Sequence, residues 1–75
     1  MEWGHLEYFL SVARTGSLSG AAKQLRVNHS TVARRLEKLE QQLNVRLFDR
    51  LNNGYRLTDD GLYLKAAASQ VEREI

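Results

Sequence analysis

Residues 18–37 have the sequence LSGAAKQLRVNHSTVARRLE, in which two apolar stripes with helical spacing are separated by a short connector. The first stripe consists of Leu18, Ala21, Ala22 and Leu25. The second consists of Val32, Leu36, Leu39 and Leu43. Because residues three or four apart lie on one face of an α-helix, the pattern predicts a short helix over 18–25 and a longer one over about 29–42. The small alanines allow these two helices to cross closely.

The longer helix displays polar and basic side chains away from its apolar stripe. At about 100° per residue, the opposite side carries Ser30, Arg34, Glu37, Lys38 and Gln41, with Thr31 and Arg35 on one flank. Asn28 is a favourable N-cap residue for this helix, and Asn44 suits the turn that ends it. The pattern predicts a helix that is anchored in a core and presents its polar side outward.

Another helix precedes this pair. Residues 5–14 contain an apolar face, and Gly16 follows at the position where a left-handed residue commonly ends a helix. Ser17 or Ser19 can then cap the helix over 18–25.

A hairpin follows the longer helix. Residues 45–50 partly alternate between apolar and polar side chains and predict a strand, and residues 55–57 predict its partner. Between them, Asn52-Asn53-Gly54 favours a tight turn, since Asn-Gly accepts positive φ angles.

The last helix begins after Thr58, a favourable N-cap followed by two acids that suit a helix N-terminus. Its apolar residues are spaced four, three and four apart, which is typical of a helix–helix seam. These residues are Leu64, Ala68, Val71 and Ile75. We interpret them as a dimer interface. The pattern continues to the last residue, so we expect the chain to be part of a longer protein.

Composition limits the function classes. A chain of 75 residues forms one small domain, which buries roughly 60% of its unfolded surface and leaves little room for a deep catalytic cleft. It has no cysteine and therefore neither disulfides nor thiolate metal sites. No apolar run approaches the ~20 residues needed to cross a bilayer, and the N-terminus does not resemble a signal peptide. We therefore expect a cytoplasmic protein that does not interact with membranes.

The charge is unevenly distributed along the chain. Residues 17–56 contain eight lysines and arginines and only three acids, which gives this segment a charge of +5 against +2 for the whole chain. A basic middle between mildly acidic ends indicates a surface that binds a polyanion.

Three helices followed by a hairpin, with a short helix turning into a longer basic one, describe a mainly α fold, the winged helix-turn-helix. In the turn between the two helices, Arg26 occupies a position that is often glycine in helix-turn-helix proteins. The chain further resembles the N-terminal domain of LysR-type bacterial transcriptional regulators. The residues that carry the resemblance are Leu6-x-x-Phe9, Gly16-Ser17-Leu18, Ala21-Ala22-x-x-Leu25-x-Val27, Leu36-x-x-Leu39-Glu40-x-x-Leu43, Leu47-Phe48-x-Arg50 and Leu57-Thr58-x-x-Gly61.

The resemblance implies the organisation of a larger regulator. Residues 1–58 would form the winged helix-turn-helix domain and 59–75 the start of a linker helix, while the effector-binding domain is absent from this chain. Linker helices would pair to form a homodimer, and the full-length protein would be a tetramer. No cofactor is expected in this domain, because a small-molecule co-inducer would bind the missing C-terminal domain.

The resemblance also implies sequence-specific binding of double-stranded DNA at an inverted repeat, with helix 29–42 in the major groove and wing 46–57 on the backbone or minor groove. The expected base-reading residues are His29, Ser30, Ala33 and Arg34. The expected phosphate contacts of the helix are Asn28, Thr31, Arg35 and Lys38. The expected wing contacts are Arg50, Asn52, Asn53 and Arg56. His29 and Ala33 depart from the glutamine and serine that are common in the family, which affects target preference.

Structural roles compete with some of these assignments. Arg35 can instead pair with Glu40 or another surface acid, and Lys38 can be plain solvated surface. Arg46 is expected to form a structural pair beneath the wing. The aromatic side chains near the N-terminus are expected to pack in the core or a dimer interface rather than to stack on bases; they are Trp3, Tyr8 and Phe9.

An enzyme and a protein-interaction module are the two other function classes that compete with DNA binding. The chain has only two histidines and none of the common nucleophile, zinc or phosphate-loop motifs, so we predict that it is not an enzyme. A protein-interaction module would explain the seam of the last helix but not the basic middle. A winged-helix regulator of another family, such as MarR, is disfavoured by the wing sequence from Leu47 to Gly61.

Overall fold

The computed structural model describes residues 3–74, which form four helices and one antiparallel hairpin. The helices are α1 (Trp3–Thr15), α2 (Leu18–Leu25), α3 (His29–Leu43) and α4 (Asp59–Glu74). The strands are β1 (Phe48–Leu51) and β2 (Gly54–Leu57). The mainly α, winged helix-turn-helix architecture predicted from the sequence is confirmed, and each helix lies within two residues of its predicted bounds where these were given.

The hydrophobic core lies where α1, α2 and α3 meet, and it extends under the wing and the middle of α4. Its buried side chains are Phe9, Leu10, Val12, Ala21, Ala22, Val32, Leu36, Leu39, Leu47, Phe48 and Ala68. The aromatic rings continue this core into the hairpin, since the ring centroids of Phe9 and Phe48 lie 5.4 Å apart and those of Phe48 and Tyr55 lie 5.7 Å apart. The aromatic residues near the N-terminus pack in or against this core, as predicted.

The turn between α1 and α2 has the predicted chemistry. Gly16 has a φ of 79°, and its N–H donates to the carbonyl oxygen of Val12 at 2.8 Å. Of the two candidate serines, Ser17 is the N-cap, because its Oγ accepts a hydrogen bond from the N–H of Gly20 at 2.9 Å. The close approach of α1 and α2 therefore follows from local signals in the sequence.

The turn between α2 and α3 contains a conformation that is unusual for its residue. Arg26 has a φ of 58°, and the N–H groups of Arg26 and Val27 both donate to the carbonyl oxygen of Ala22. This left-handed conformation costs a residue other than glycine about 1–2 kcal/mol, and the hydrogen bonds that close the turn offset it. Asn28 occupies the N-cap position of α3, but its side chain makes no capping hydrogen bond, contrary to expectation.

The first strand begins later than residue 45, where the sequence predicted it. The N–H of Leu47 donates to Oε2 of Glu40 at 2.7 Å, and its carbonyl oxygen accepts the N–H of Thr58 at 3.0 Å. Residue 47 thus connects α3 and α4 and does not enter the strand ladder. Leu51 is paired with Gly54, which leaves the two asparagines as the turn. The tight turn predicted from Asn-Gly is present, and within it only Gly54 has a positive φ, at 141°.

The wing is fixed to the body of the domain at Gly16. The N–H of Tyr55 donates to the carbonyl oxygen of Gly16 at 2.9 Å. A Cβ added to the neighbouring Gly54 would lie 2.5 Å from that same oxygen. Glycine is therefore required at residue 54 both for its φ and for this close approach.

Helix α4 begins as predicted, because Oγ1 of Thr58 accepts the N–H of Gly61 at 3.0 Å and itself donates to the carbonyl oxygen of Arg46 at 2.7 Å. The interpretation of its apolar stripe as a dimer interface needs correction. Ala68 is only 2% exposed and belongs to the core of its own chain, and Leu64 packs against that core. The stripe is a helix–helix seam, but α1 of the same chain covers it.

The remaining two residues of the proposed interface differ from these. Val71 is 45% exposed, and Ile75 lies outside the described residues. The outward side of α4 carries other large apolar side chains, Leu62 and Tyr63, which are 56% and 80% exposed.

We predict that Gly61→Ala destabilises the fold. An added Cβ would overlap the carbonyl oxygen of Leu47 and lie 2.9 Å from Cδ2 of Leu57. We expect urea denaturation to show a loss of about 1–3 kcal/mol, although a glycine-to-alanine change in a helix normally adds about 0.5–1 kcal/mol. Ala67→Gly, on the exposed side of the same helix, is the control and should cost about 1 kcal/mol through helix propensity alone. A more stable Gly61→Ala variant would contradict the close approach.

Candidate nucleic-acid interface

The N-terminal half of α3 presents an exposed polar surface on a helix whose other side is buried. His29, Ser30 and Arg34 are exposed, and Ala33 is half-buried beside them. Ser30 and Arg34 lie opposite Val32, which is completely buried in the core, whereas His29 is exposed because it begins the helix. The four expected base-reading residues are thus brought together on the first turns of α3, where a flat or grooved partner can reach them.

The expected phosphate contacts of α3 do not all have the same environment. Asn28 and Lys38 are exposed, and Thr31 is half-buried. Because Asn28 makes no capping hydrogen bond, its amide remains on the surface at the beginning of the helix. These three residues lie beside the base-reading set, as the helical spacing predicted.

Arg35 is directed toward α1. Its Nε donates to Nδ1 of His5 at 2.8 Å, and its guanidinium lies 4.5 Å from the ring centroid of Tyr8. The described contacts of Arg35 are those with His5 and Tyr8, and the carboxylate of Glu40 accepts the N–H of Leu47. Arg35 therefore connects α3 to α1, and its predicted role in binding phosphate stays a prediction.

The sequence analysis did not identify His5 and Tyr8 as partners of Arg35. A signal was present, because the two residues are three apart and therefore lie on one face of α1. His5 is 6% exposed, so a polar side chain on the buried side of α1 required a hydrogen-bonding partner.

The wing brings its four expected contact residues to the surface. The exposed set consists of Arg50, Asn52, Asn53 and Arg56. Arg56 shares Asp49 with Arg46: Nη2 of Arg56 lies 3.9 Å from Oδ2, and Arg46 forms a closer ion pair with Oδ1. Arg46 is thus paired, as predicted, but it is exposed and does not lie beneath the wing. The guanidinium of Arg50 lies 5.8 Å from the ring centroid of Tyr55.

Two further basic residues extend this surface, and the site prediction omitted them. Lys23 and Arg26 are exposed near and at the turn that leads into α3. Both belong to the segment with the charge of +5, so the charge distribution was the signal that could have included them. Exposed basic side chains therefore extend from the α2–α3 turn along α3.

Other kinds of site find little support in the described part of the chain. Between residues 3 and 74 no group of three His, Asp or Glu side chains is arranged to bind a metal ion. No helix in the same range is long and apolar enough to span a membrane.

Comparison with known proteins agrees with this geometry. The profile of the family described as "Bacterial regulatory helix-turn-helix protein, lysR family" matches residues 3–62. The chain belongs to the LysR family. It is 46% identical over 71 residues to the HTH-type transcriptional regulator YofA of Bacillus subtilis (strain 168), a match that covers 95% of this chain and 25% of YofA. The chain thus spans about a quarter of the length of this LysR-family relative.

Solved structures of LysR-family domains have the same fold. The structure described as the CbnR_DBD–DNA complex superposes with a TM-score of 0.93 at 34% identity, covering 97% of this chain and 84% of that one. The BenM_DBD/catB site 1 DNA complex superposes with a TM-score of 0.94 at 27% identity, covering 99% and 83%. The resemblance stated from the sequence motifs is confirmed, and the MarR-like alternative is set aside.

We predict that the two neighbouring arginines of α3 contribute unequally to stability. Arg35→Ala removes a hydrogen bond to His5 and a cation–π contact with Tyr8, so it should lower the free energy of unfolding by about 1–3 kcal/mol. Arg34→Ala, which alters an exposed side chain on the same helix, should change it by less than about 0.5 kcal/mol. Urea denaturation of both variants tests this. Equal effects would show that Arg35 does not fix α3 to α1.

Proposed function

We propose that this chain is the DNA-binding domain of a LysR-type transcriptional regulator and that it binds double-stranded DNA sequence-specifically. The observation that carries the proposal is the anchored helix α3, which exposes Ser30 and Arg34 opposite its buried stripe and His29 at its first turn. The similarity to LysR-family domains whose structures are described as DNA complexes supports it.

Helix α3 would enter the major groove, which is ~12 Å wide and admits an α-helix. In that position Arg34 can form two hydrogen bonds to O6 and N7 of a guanine, and Ala33 can contact a thymine methyl group. His29 and Ser30 offer further hydrogen bonds to base edges. The base-reading role is therefore assigned to one short stretch of α3.

Phosphate contacts would surround this stretch and set the orientation of the domain on DNA. Asn28, Thr31 and Lys38 border it on α3, and Lys23 and Arg26 extend it toward α2. The wing would contact the neighbouring backbone or minor groove through Arg50, Asn52, Asn53 and Arg56. Arg35 is assigned a supporting role as well, because it fixes the helix that the other residues depend on.

We further propose a homodimer, with a contact surface on the outward side of α4. At 100° per residue, Leu62, Tyr63 and Ala66 lie on the side opposite Leu64 and Ala68, and all three are exposed. A row of exposed apolar side chains on one helix is a favourable surface for a second copy of the same helix. This assignment replaces the interface of Leu64 and Ala68 expected from spacing alone.

The rest of the regulator follows from family membership and is proposed on that basis. Residues 1–58 would form the DNA-binding unit and 59–75 the start of the linker helix, with an effector domain elsewhere in the full-length protein that binds a small-molecule co-inducer. The full-length protein would form a tetramer, act in the cytoplasm on the nucleoid, and have no enzymatic activity of its own.

Selection of bound duplexes from a random DNA library at two salt concentrations tests the DNA-binding proposal. We expect enrichment of an inverted repeat, with affinity falling as salt rises because phosphate contacts release counterions. Salt-sensitive retention without any enrichment would contradict sequence-specific binding by this chain. No retention at low salt would favour a protein-interaction module.

The half-site from that selection allows a test of Arg34. Arg34→Ala should weaken binding to the selected site by about 1–3 kcal/mol, the discrimination of one bidentate arginine–guanine pair, and should change non-specific binding far less. Lys38→Ala is the matched control, since loss of a phosphate contact should weaken both to a similar extent. Equal losses on both kinds of DNA for Arg34→Ala would remove its base-reading role.

The dimer surface is tested by sedimentation equilibrium. Tyr63→Glu places a charge at the centre of the exposed apolar side of α4 and should raise the dimer dissociation constant roughly tenfold or more. Gln42→Glu is the control. It adds the same charge at an exposed residue of α3 and should leave the dimer dissociation constant unchanged. Dimerisation of Tyr63→Glu with wild-type affinity would place the interface elsewhere.

A further inference from the structure

Helix α4 is rigidly joined to the body of the domain where it begins. The carbonyl oxygen of Leu47 accepts the N–H of Thr58 at 3.0 Å and leaves no space for a Cβ at Gly61. The hydroxyl of Thr58 bridges from Arg46 to the first turn of α4. These contacts leave the first turn little freedom and make it the point about which the rest of α4 would tilt.

A second attachment lies near the other end of α4. Nη2 of Arg14, on α1, donates to Oε1 of Glu72 at 2.6 Å, and Nη1 of the same side chain donates to Oε2 at 3.3 Å. The hydrogen bond to Arg14 lowers the pKa of Glu72, and that to Glu72 raises the pKa of Arg14. The pair therefore remains ionised at neutral pH. Its geometry is bidentate, which fixes direction as well as distance.

The packing beneath this pair is incomplete. Arg14 and Glu72 lie at the edge of a cavity of about 120 Å³ between α1, α2 and α4, whose walls include Leu10 and Leu25. Closer to the pivot, Ala68 is buried against the core. Beyond Ala68 the ion pair is a described contact that joins α4 directly to α1.

We infer that the Arg14–Glu72 ion pair sets the angle between α4 and the body of the domain, and through it the spacing of the two half-sites that a dimer selects. The inference rests on the proposed function, in which α4 carries the dimer contact and α3 reads the DNA. Arg14 and Glu72 act here as positioning residues, since neither lies on the exposed first turns of α3.

The size of the effect follows from the geometry of a helix. The segment from Gly61 to Glu72 is ~16 Å long at 1.5 Å per residue, so a displacement of ~3 Å at Glu72, about one hydrogen-bond length, tilts α4 by ~10°. If the half-sites are one helical turn apart, each reading helix lies ~17 Å from the two-fold axis. A tilt of that size displaces a point at this distance by ~3 Å, close to one base-pair step of ~3.4 Å.

The test uses the chain of residues 1–75 and a duplex library in which two fixed half-sites are separated by spacers of every length. The variants are Arg14→Glu, Glu72→Arg and the double variant that restores the pair with reversed charges. Lys65→Glu, on α4 but outside the pair, is a control for the change in net charge. Affinity for a duplex with a single half-site is measured in parallel.

We expect the wild-type chain and Lys65→Glu to enrich one spacing. Each single reversal should increase the recovery of spacings that differ by one or two base pairs by about two- to fivefold, the range of an exposed ion pair, and the double variant should restore the wild-type profile. Affinity for a single half-site should be the same in all variants.

Wild-type spacing profiles in both single reversals would overturn the inference. So would a loss of single half-site affinity in those variants, which would assign the pair to folding. If the wild-type chain enriches single half-sites without any preferred spacing, the dimer of the proposed function fails and the inference fails with it, while sequence-specific binding by α3 stands.

Discussion

Burial of one side of α3 fixes both the position and the rotation of that helix. Val32 and Leu39 are completely buried and Leu36 nearly so. Each such side chain contributes about 1.5–3 kcal/mol when it leaves water, so exposing all three would cost about as much as the whole stability of a small domain. Rotations of α3 that turn its polar side inward are therefore not populated. Core packing therefore keeps His29 and Arg34 exposed before any DNA is bound.

Two close backbone approaches extend this rigidity to the other elements. Gly54 lies against the carbonyl oxygen of Gly16, which holds the wing on the α1–α2 turn, and Gly61 lies against that of Leu47, which holds the start of α4 at the base of the wing. Any side chain at either glycine would separate the elements. The wing, α3 and the beginning of α4 consequently form one rigid unit. A change in the direction of α4 therefore also changes where the DNA-reading surface lies relative to a partner subunit.

Periodicity, cap residues and turn chemistry predicted the helices, their order and the hairpin, because those features depend on neighbours in sequence. Tertiary contacts decided the rest. The first strand begins late because Leu47 is bonded to Glu40 and Thr58, and spacing could not show that α1 covers Ala68. A stripe of apolar residues indicates that a helix has a buried side. It contains no information on whether the covering helix belongs to the same chain or to a partner.

In the candidate site, too, the sequence pattern does not show which side chains are covered by other parts of the chain. Arg34 and Arg35 are adjacent, carry the same charge and belong to the same basic segment, yet they point about 100° apart on a helix. That rotation directs Arg35 toward His5 and Tyr8 and leaves Arg34 exposed. Charge therefore identifies a segment that can approach a polyanion. The buried stripe decides which basic side chains of that segment remain exposed and able to contact the polyanion.

Phosphate contacts can be distributed over α2, α3 and the wing, because any exposed basic side chain of this rigid unit can make one. Base readout is confined to the few side chains at the beginning of α3, so the two departures there, His29 and Ala33, should alter the target sequence while leaving the general attraction to DNA unchanged.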